Sequence, residues 1–185
     1  MKPVTRDEIV DYVTYTDRRP ELRARVLAAK AARRYHVGRV LTFLFENHDT
    51  VRYQVQEMMR VERIVREADI HHELTTYNEL IPAAGQLKCT VLVEIDDPDR
   101  REVKLPQWLD LNGTLYLETE DGDRVRPTWD PAQVGTERIS AVQYLTFDVG
   151  GRLPVAIGSE HADEDLQGRH PFAQSERAAL AEDLA

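Results

Sequence analysis

The sequence has a single cysteine, Cys89, among 185 residues. That rules out an internal disulfide, and without a CxxC pair no cysteine-held zinc or iron–sulfur site is expected within one chain. Any redox centre would belong to a partner. No apolar run approaches the roughly 20 residues that cross a bilayer, and the opening stretch MKPVTRDEIV lacks the apolar centre of a secretory signal. Both absences point to a cytoplasmic protein with no membrane contact. Also missing are internal repeats, low-complexity tracts, a phosphate-cradling glycine loop and a GxSxG elbow. Positive charge is in deficit too. The formal net charge is −9, which argues against general affinity for nucleic acid.

What is present reads as one domain, because 185 residues with 42% hydrophobic and 31% charged content can bury a proper core. Charge is unevenly spread. Residues 17–34 carry Arg18, Arg19, Arg23, Arg25, Lys30, Arg33 and Arg34 against Asp17 and Glu21, whereas the chain from Glu160 onward is strongly acidic. Such asymmetry marks a docking surface, or lets the two ends of one fold, or two copies of it, face each other.

The richest stretch is Leu44–Glu73, where an apolar strand runs into a helix. Asn47 or Asp49 can cap a helix beginning near Thr50 and reaching Asp69. At helical spacing Val51, Val55, Met58, Met59, Val61 and Val65 share one broad face. Glu62 falls within that apolar arc and Gln54 well inside it. A buried carboxylate needs a partner or a ligand, and Arg66, one turn on, is the nearest candidate. The opposite face, with Arg52, Gln56, Arg60, Arg63 and Glu67, reads as solvated or as the wall of a polar pocket. Glu46, at the end of the preceding strand, would cap the helix or line that pocket.

Elsewhere, Thr5 and Glu8 have capping-box spacing for a short helix to Tyr12, and Asp17 with Pro20 would open a second one. Residues 35–46 read as one central strand with Leu41, Phe43 and Phe45 on one face. A further helical piece is expected over 70–80. Leu87–Asp96 alternates as a half-buried strand with Cys89 inward, followed by a charged, exposed linker over 97–104. Leu115–Thr128 reads as a hairpin turning at Asp121-Gly122, with Pro127 marking an edge strand. Ser140–Val149 and Val155–Ile157 add strands. An acidic, solvated loop then leads to a terminal helix capped by Ser175. Glu67 with His71 and Asp69 with His72 have metal-ligand spacing on a helix, and His161 and His170 lie in the acidic loop. None of these completes a known metal motif, so no cofactor is expected, although a metal ion stays open.

Several segments together resemble an uncharacterised bacterial family, domain of unknown function 3501. They are LFE at Leu44–Glu46, TVRYQVQEMMRVERI at Thr50–Ile64, the Glu73–Pro82 segment, RPELRARV at Arg19–Val26, SAVQYLTF at Ser140–Phe147 and RAALAEDL at Arg177–Leu184. The family pattern implies Glu46, Gln54, Gln56, Glu57, Arg60, Glu62, Tyr77 and Asn78 as candidate ligand-binding residues. It departs at Glu160-His161-Ala162, where members show a tighter Asp-His-Pro turn. Members are often encoded beside a rubrerythrin-like protein and an iron–sulfur oxidoreductase, which implies a redox or peroxide-stress setting with one of these as partner. The expected architecture is α+β: N-terminal helices packed on a mainly antiparallel sheet of about five strands that could curl into a half-barrel. Along the chain this gives helical 1–34, strand plus long helix 35–82, sheet 87–158, and loop with terminal helix 159–185. The expected function is an accessory or binding protein, or a homo-oligomer. The alternatives are an anion- or small-molecule-binding domain using the polar pocket, and a metal-dependent enzyme.

Overall fold

The structure is a computed structural model describing residues 1–185. It is α+β, with helices α1 (Tyr12–Ala31), α2 (His48–Glu62), α3 (Glu67–Asn78), α4 (Pro98–Lys104), α5 (Leu111–Thr114) and α6 (Gln174–Leu184). Strands β1 (Arg34–Val37), β2 (Leu41–Phe45), β3 (Gln86–Val93) and β6 (Val142–Asp148) form one antiparallel sheet in the order β1-β2-β3-β6. Strands β4 (Leu115–Thr119), β5 (Arg124–Val125), β7 (Pro154–Ser159) and β8 (Gly168–Pro171) form a second, in the order β5-β4-β7-β8. The strands expected as one sheet are thus divided between two.

Alternation along each strand explains why the sheets face each other. Leu41, Phe43 and Phe45 of β2, Leu87, Cys89 and Val91 of β3, and Leu115 and Leu117 of β4 all point into one core, which Trp108, Phe147, Ile157 and Leu180 complete. At one edge the sheets are linked by a bridge from Thr128 to Thr146. At the other, β1 lies beside β8 without pairing, so no barrel closes. That second edge is held by backbone proximity. Gly38 has φ +61°, and a Cβ there would sit 2.6 Å from the Asp165 carbonyl oxygen. Only glycine suits both the left-handed backbone and the contact.

Gly38 also corrects the reading of 35–46 as one strand, since it turns the chain between β1 and β2, which pair from Arg34–Leu44 to Val37–Leu41. Other boundaries move for local reasons. The helix expected to open at Asp17 opens at Tyr12, because the Asp11 carboxylate accepts from the Val13 and Thr14 amides, both at 3.0 Å. Pro20 therefore lies inside α1, and the N-terminal segment keeps only a 3-10 turn at Arg6–Glu8. The charged linker is helix α4, started by the Asp97 side chain with Pro98 in the first turn. Helix α6 begins at Gln174, not beyond Ser175, with the Glu176 carboxylate accepting from the Ala173 amide at 2.7 Å.

A second, smaller core joins α2, α3 and the N-terminal segment through Val4, Ile9, Val51, Val55, Met59, Ile70 and Leu74. Asn47 caps α2 as expected, accepting from the Thr50 amide at 3.0 Å. The helix stops at Glu62, short of Asp69, because Arg63 takes the left-handed conformation (φ 53°) and sends Ile64 back into this core. Helix α1 covers the face of α2 expected to be solvated, yet of its 20 residues only Tyr15 and Val26 are buried.

Candidate functional site

The chain places Glu46 where β2 gives way to α2, and its side chain turns into the protein, 3% exposed. It accepts from Thr50 Oγ1 at 2.6 Å, Gln54 Nε2 at 2.9 Å and Thr90 Oγ1 at 2.9 Å. Three neutral donors with no cation among them satisfy this carboxylate. The expectation that Glu46 and Gln54 meet between helix and sheet is met in position, with a closed hydrogen-bonded knot where an open pocket was anticipated. Cys89 lies close by, on the core side of β3. Burial, reinforced by the charge of Glu46, pushes its thiol well up, which makes it a small core hydrophobe.

Gln56 and Asn78 have a shared task. Gln56 takes the Val10 amide at 2.9 Å and gives to the Val10 carbonyl at 3.0 Å, while Asn78 does the same for Val4 at 2.8 and 2.9 Å. Each amide imitates a neighbouring strand and pins the N-terminal segment onto α2 and α3.

Glu57 and Arg60 belong to a cluster with α1. Arg19 grips Glu57 with two hydrogen bonds at 2.7 and 3.0 Å, the Tyr15 hydroxyl donates at 2.7 Å and Arg60 at 3.1 Å. Burial pushes the Glu57 carboxyl up, but these donors more than reverse it and hold it at about 2, against an ordinary 4.5. A carboxyl depressed on folding contributes stability above its unfolded pKa and loses it as pH falls through the folded value. Between pH 4.5 and 2, the urea midpoint of the native chain should therefore fall more steeply than that of Glu57→Gln; parallel curves would refute the cluster's role.

Glu62 departs from expectation. It is exposed, and Arg66 pairs instead with Asp69 at 3.0 Å. The predicted ion pair required the helix to continue; it ends at Glu62, and Val61, Glu62, Val65 and Arg66 are all exposed. Tyr77 takes its place as the informative residue. It lines two adjacent hollows, one of about 220 Å³ with Gln54, Met58 and Val61, and one of about 450 Å³ with Leu80, Trp129 and Tyr144. Neither Trp129 nor Tyr144 was singled out from sequence, since they come from segments far from the helix.

The architecture agrees with that of a known protein. A family model described as a protein of unknown function, DUF3501, matches residues 3–184. The chain belongs to this family. A solved structure similar to this DUF3501 chain is the crystal structure of a novel protein of unknown function from Burkholderia pseudomallei K96243, at 29% identity and TM-score 0.89, with the whole of each chain covered. No curated protein matches.

In the DUF3501 chain the histidines weighed as metal ligands are scattered. His71 and His72 are exposed on α3, and no group of three His, Cys, Asp or Glu side chains converges. His170 packs against Tyr35 and Phe172 and meets Glu176 at 3.2 Å. His161 is buried, with Nδ1 accepting from the Asp163 amide, which leaves the Nε2 proton for Asp110 at 3.2 Å. The loop around it is not the solvated acidic stretch expected. Asp163 receives Lys104 Nζ at 2.8 Å and Trp108 Nε1 at 3.0 Å, and Asp165 receives Arg100 at 2.7 Å. Lys104, the Asp165 amide and Trp108 hold the Asp163 carboxyl well below the usual range. These partners lie on α4 and the turn after it, 55 to 65 residues away, so local sequence gave no sign of them.

Finally, α1 and α2 diverge around a cleft of about 390 Å³, bounded by Arg18, Arg25, Arg52 and Tyr53 above Leu22 and Val26. No helix of the chain is long and apolar enough to cross a membrane.

Proposed function

We propose that this protein is a cytoplasmic accessory protein that docks a partner on the strip from Val61 through Tyr77 to Tyr144 and Trp129. The observation that carries this reading is the position of Tyr77, which lines both of two hollows. Val61 and Tyr144 stand on the strip 65% and 48% exposed, and Glu79, Lys88 and Asp130 give it a polar rim. Aromatic and methionine side chains inside a charged border are the composition of protein interfaces. The partner class comes from the family resemblance: an iron–sulfur oxidoreductase, with a rubrerythrin-like protein as the other member of the same setting. Glu46, Gln54, Gln56 and Asn78 then serve the strip by fixing α2, α3 and the N-terminal segment beneath it.

Val61→Asp with Tyr144→Asp places two charges on this surface without touching either core. Affinity-tagged chain at its native level should capture the oxidoreductase, and the double variant should lose at least about tenfold in binding while keeping its thermal midpoint. Capture that survives the double variant would refute the strip as the docking face. Recovery of only a second copy of the chain would replace the accessory reading with a homo-oligomer.

A further inference from the structure

The α1–α2 cleft adjoins that strip, and Tyr53 borders both. We infer that the cleft binds a small organic phosphate. Its geometry follows from helical spacing, since Arg18 and Arg25 are seven residues apart and share a stripe of α1 with Leu22 and Val26, while Arg52 and Tyr53 face them from α2. The two helices therefore present cations at the rim and an apolar floor between them. At about 390 Å³ the cleft has the size of a small-molecule site.

Several cations on or beside these helices are matched, although Arg23 of α1, outside the cleft, has no partner. Arg19 and Arg60 are held by Glu57, Arg33 by Asp183, and Lys30 rests 5.1 Å from the centre of the Tyr53 ring. The cleft arginines are not matched in this way. Arg18 has no ion pair or hydrogen bond at all, Arg25 meets only its own-helix neighbour Glu21 in an exposed pair, and Arg52 is 3.4 Å from Asp49. Exposed pairs of that kind are worth little and release their guanidinium readily. Two carboxylates also line the cleft. Glu8 is engaged by the Thr5 amide and His48, and Asp49 stands at the start of α2, where the helix dipole is positive. Guanidinium groups from two helices can grip one phosphate with paired N–H donors, and the Tyr53 ring with the aliphatic floor can take the organic body.

Isothermal titration of the full chain with phenyl phosphate and with inorganic phosphate, at constant ionic strength, tests the inference. Saturable one-to-one binding is expected, tighter for phenyl phosphate. Arg18→Ala and Arg52→Ala should each weaken it about tenfold, the effect of losing one charged hydrogen-bond donor, and Arg63→Ala should not. Arg18→Ala is the cleaner variant, because an unpaired exposed side chain can be removed with the ligand-free thermal midpoint unchanged. No saturable heat at millimolar phenyl phosphate, or equal affinity in native chain and Arg18→Ala, overturns the site. Equal affinity for the two probes overturns an organic ligand.

Discussion

Replacing Asp183 by alanine is expected to lower the unfolding free energy by about 3–5 kcal/mol, a shift of roughly 10 °C in thermal midpoint for a chain of this size. Asp183 and Arg33 are both buried and joined by two hydrogen bonds, at 2.6 and 2.9 Å. Arg33 also donates to the Ala29 and Ala179 carbonyls, Asn47 donates to Asp183 at 3.2 Å, and the Phe45 amide donates to the Arg33 carbonyl. The pair therefore ties the end of α1, the start of α2, β2 and α6 at one point. Burial opposes the guanidinium charge, but the hydrogen bonds and charge of Asp183, together with the charge of Glu182, outweigh it and raise the Arg33 pKa. Removing the carboxylate alone leaves that cation, in a site with little water, only the exposed Glu182 carboxylate 3.7 Å away. Arg33→Leu with Asp183→Leu, which removes both charges, should recover most of the loss. Urea unfolding of the two variants decides the point: a double variant no better than the single one would mean that shape, not charge, dominates there.

The second large effect is expected at Glu46. Glu46→Ala strands the donors of Thr50, Gln54 and Thr90 and opens a void, at a cost of about 3 kcal/mol. Glu46→Gln should cost only about 1 kcal/mol, because the Thr90 hydroxyl can rotate and accept from the new amide while its oxygen still serves Thr50 and Gln54. Equilibrium urea unfolding of both variants measures this gap. If they fall within about 0.5 kcal/mol of each other, the spread of an ordinary surface change, hydrogen bonding is not what makes Glu46 matter.

These two residues show what could and could not be read from the chain. Glu46 was legible because its position at the end of an alternating strand and next to the Asn47 cap is a local fact. The Leu87–Asp96 strand, the Asp121-Gly122 turn and the α+β class were legible for the same reason: periodicity and turn chemistry act over a few residues. Arg33 was read as one of a basic cluster, since its partner lies 150 positions away and no spacing rule connects them. Asp163 and Asp165 were misjudged as solvated because Lys104 and Arg100 reach them only in the fold. Glu62 failed differently. Its helical phase was right, but an arginine in the left-handed conformation ended the helix beneath it, a position where sequence signals favour glycine.

The order in which the chain visits the sheets carries a last consequence. It lays down three strands of the first, two of the second, returns for β6, and then finishes the second with β7 and β8. No cut between β3 and β6 leaves the first sheet whole, and none between β4 and β7 leaves the second, because β3 waits for β6 and β4 for β7. Assembly is therefore mutual: the first sheet gains β6, and the second β7, only after the other has been started, and the polypeptide crosses between them three times before both are complete.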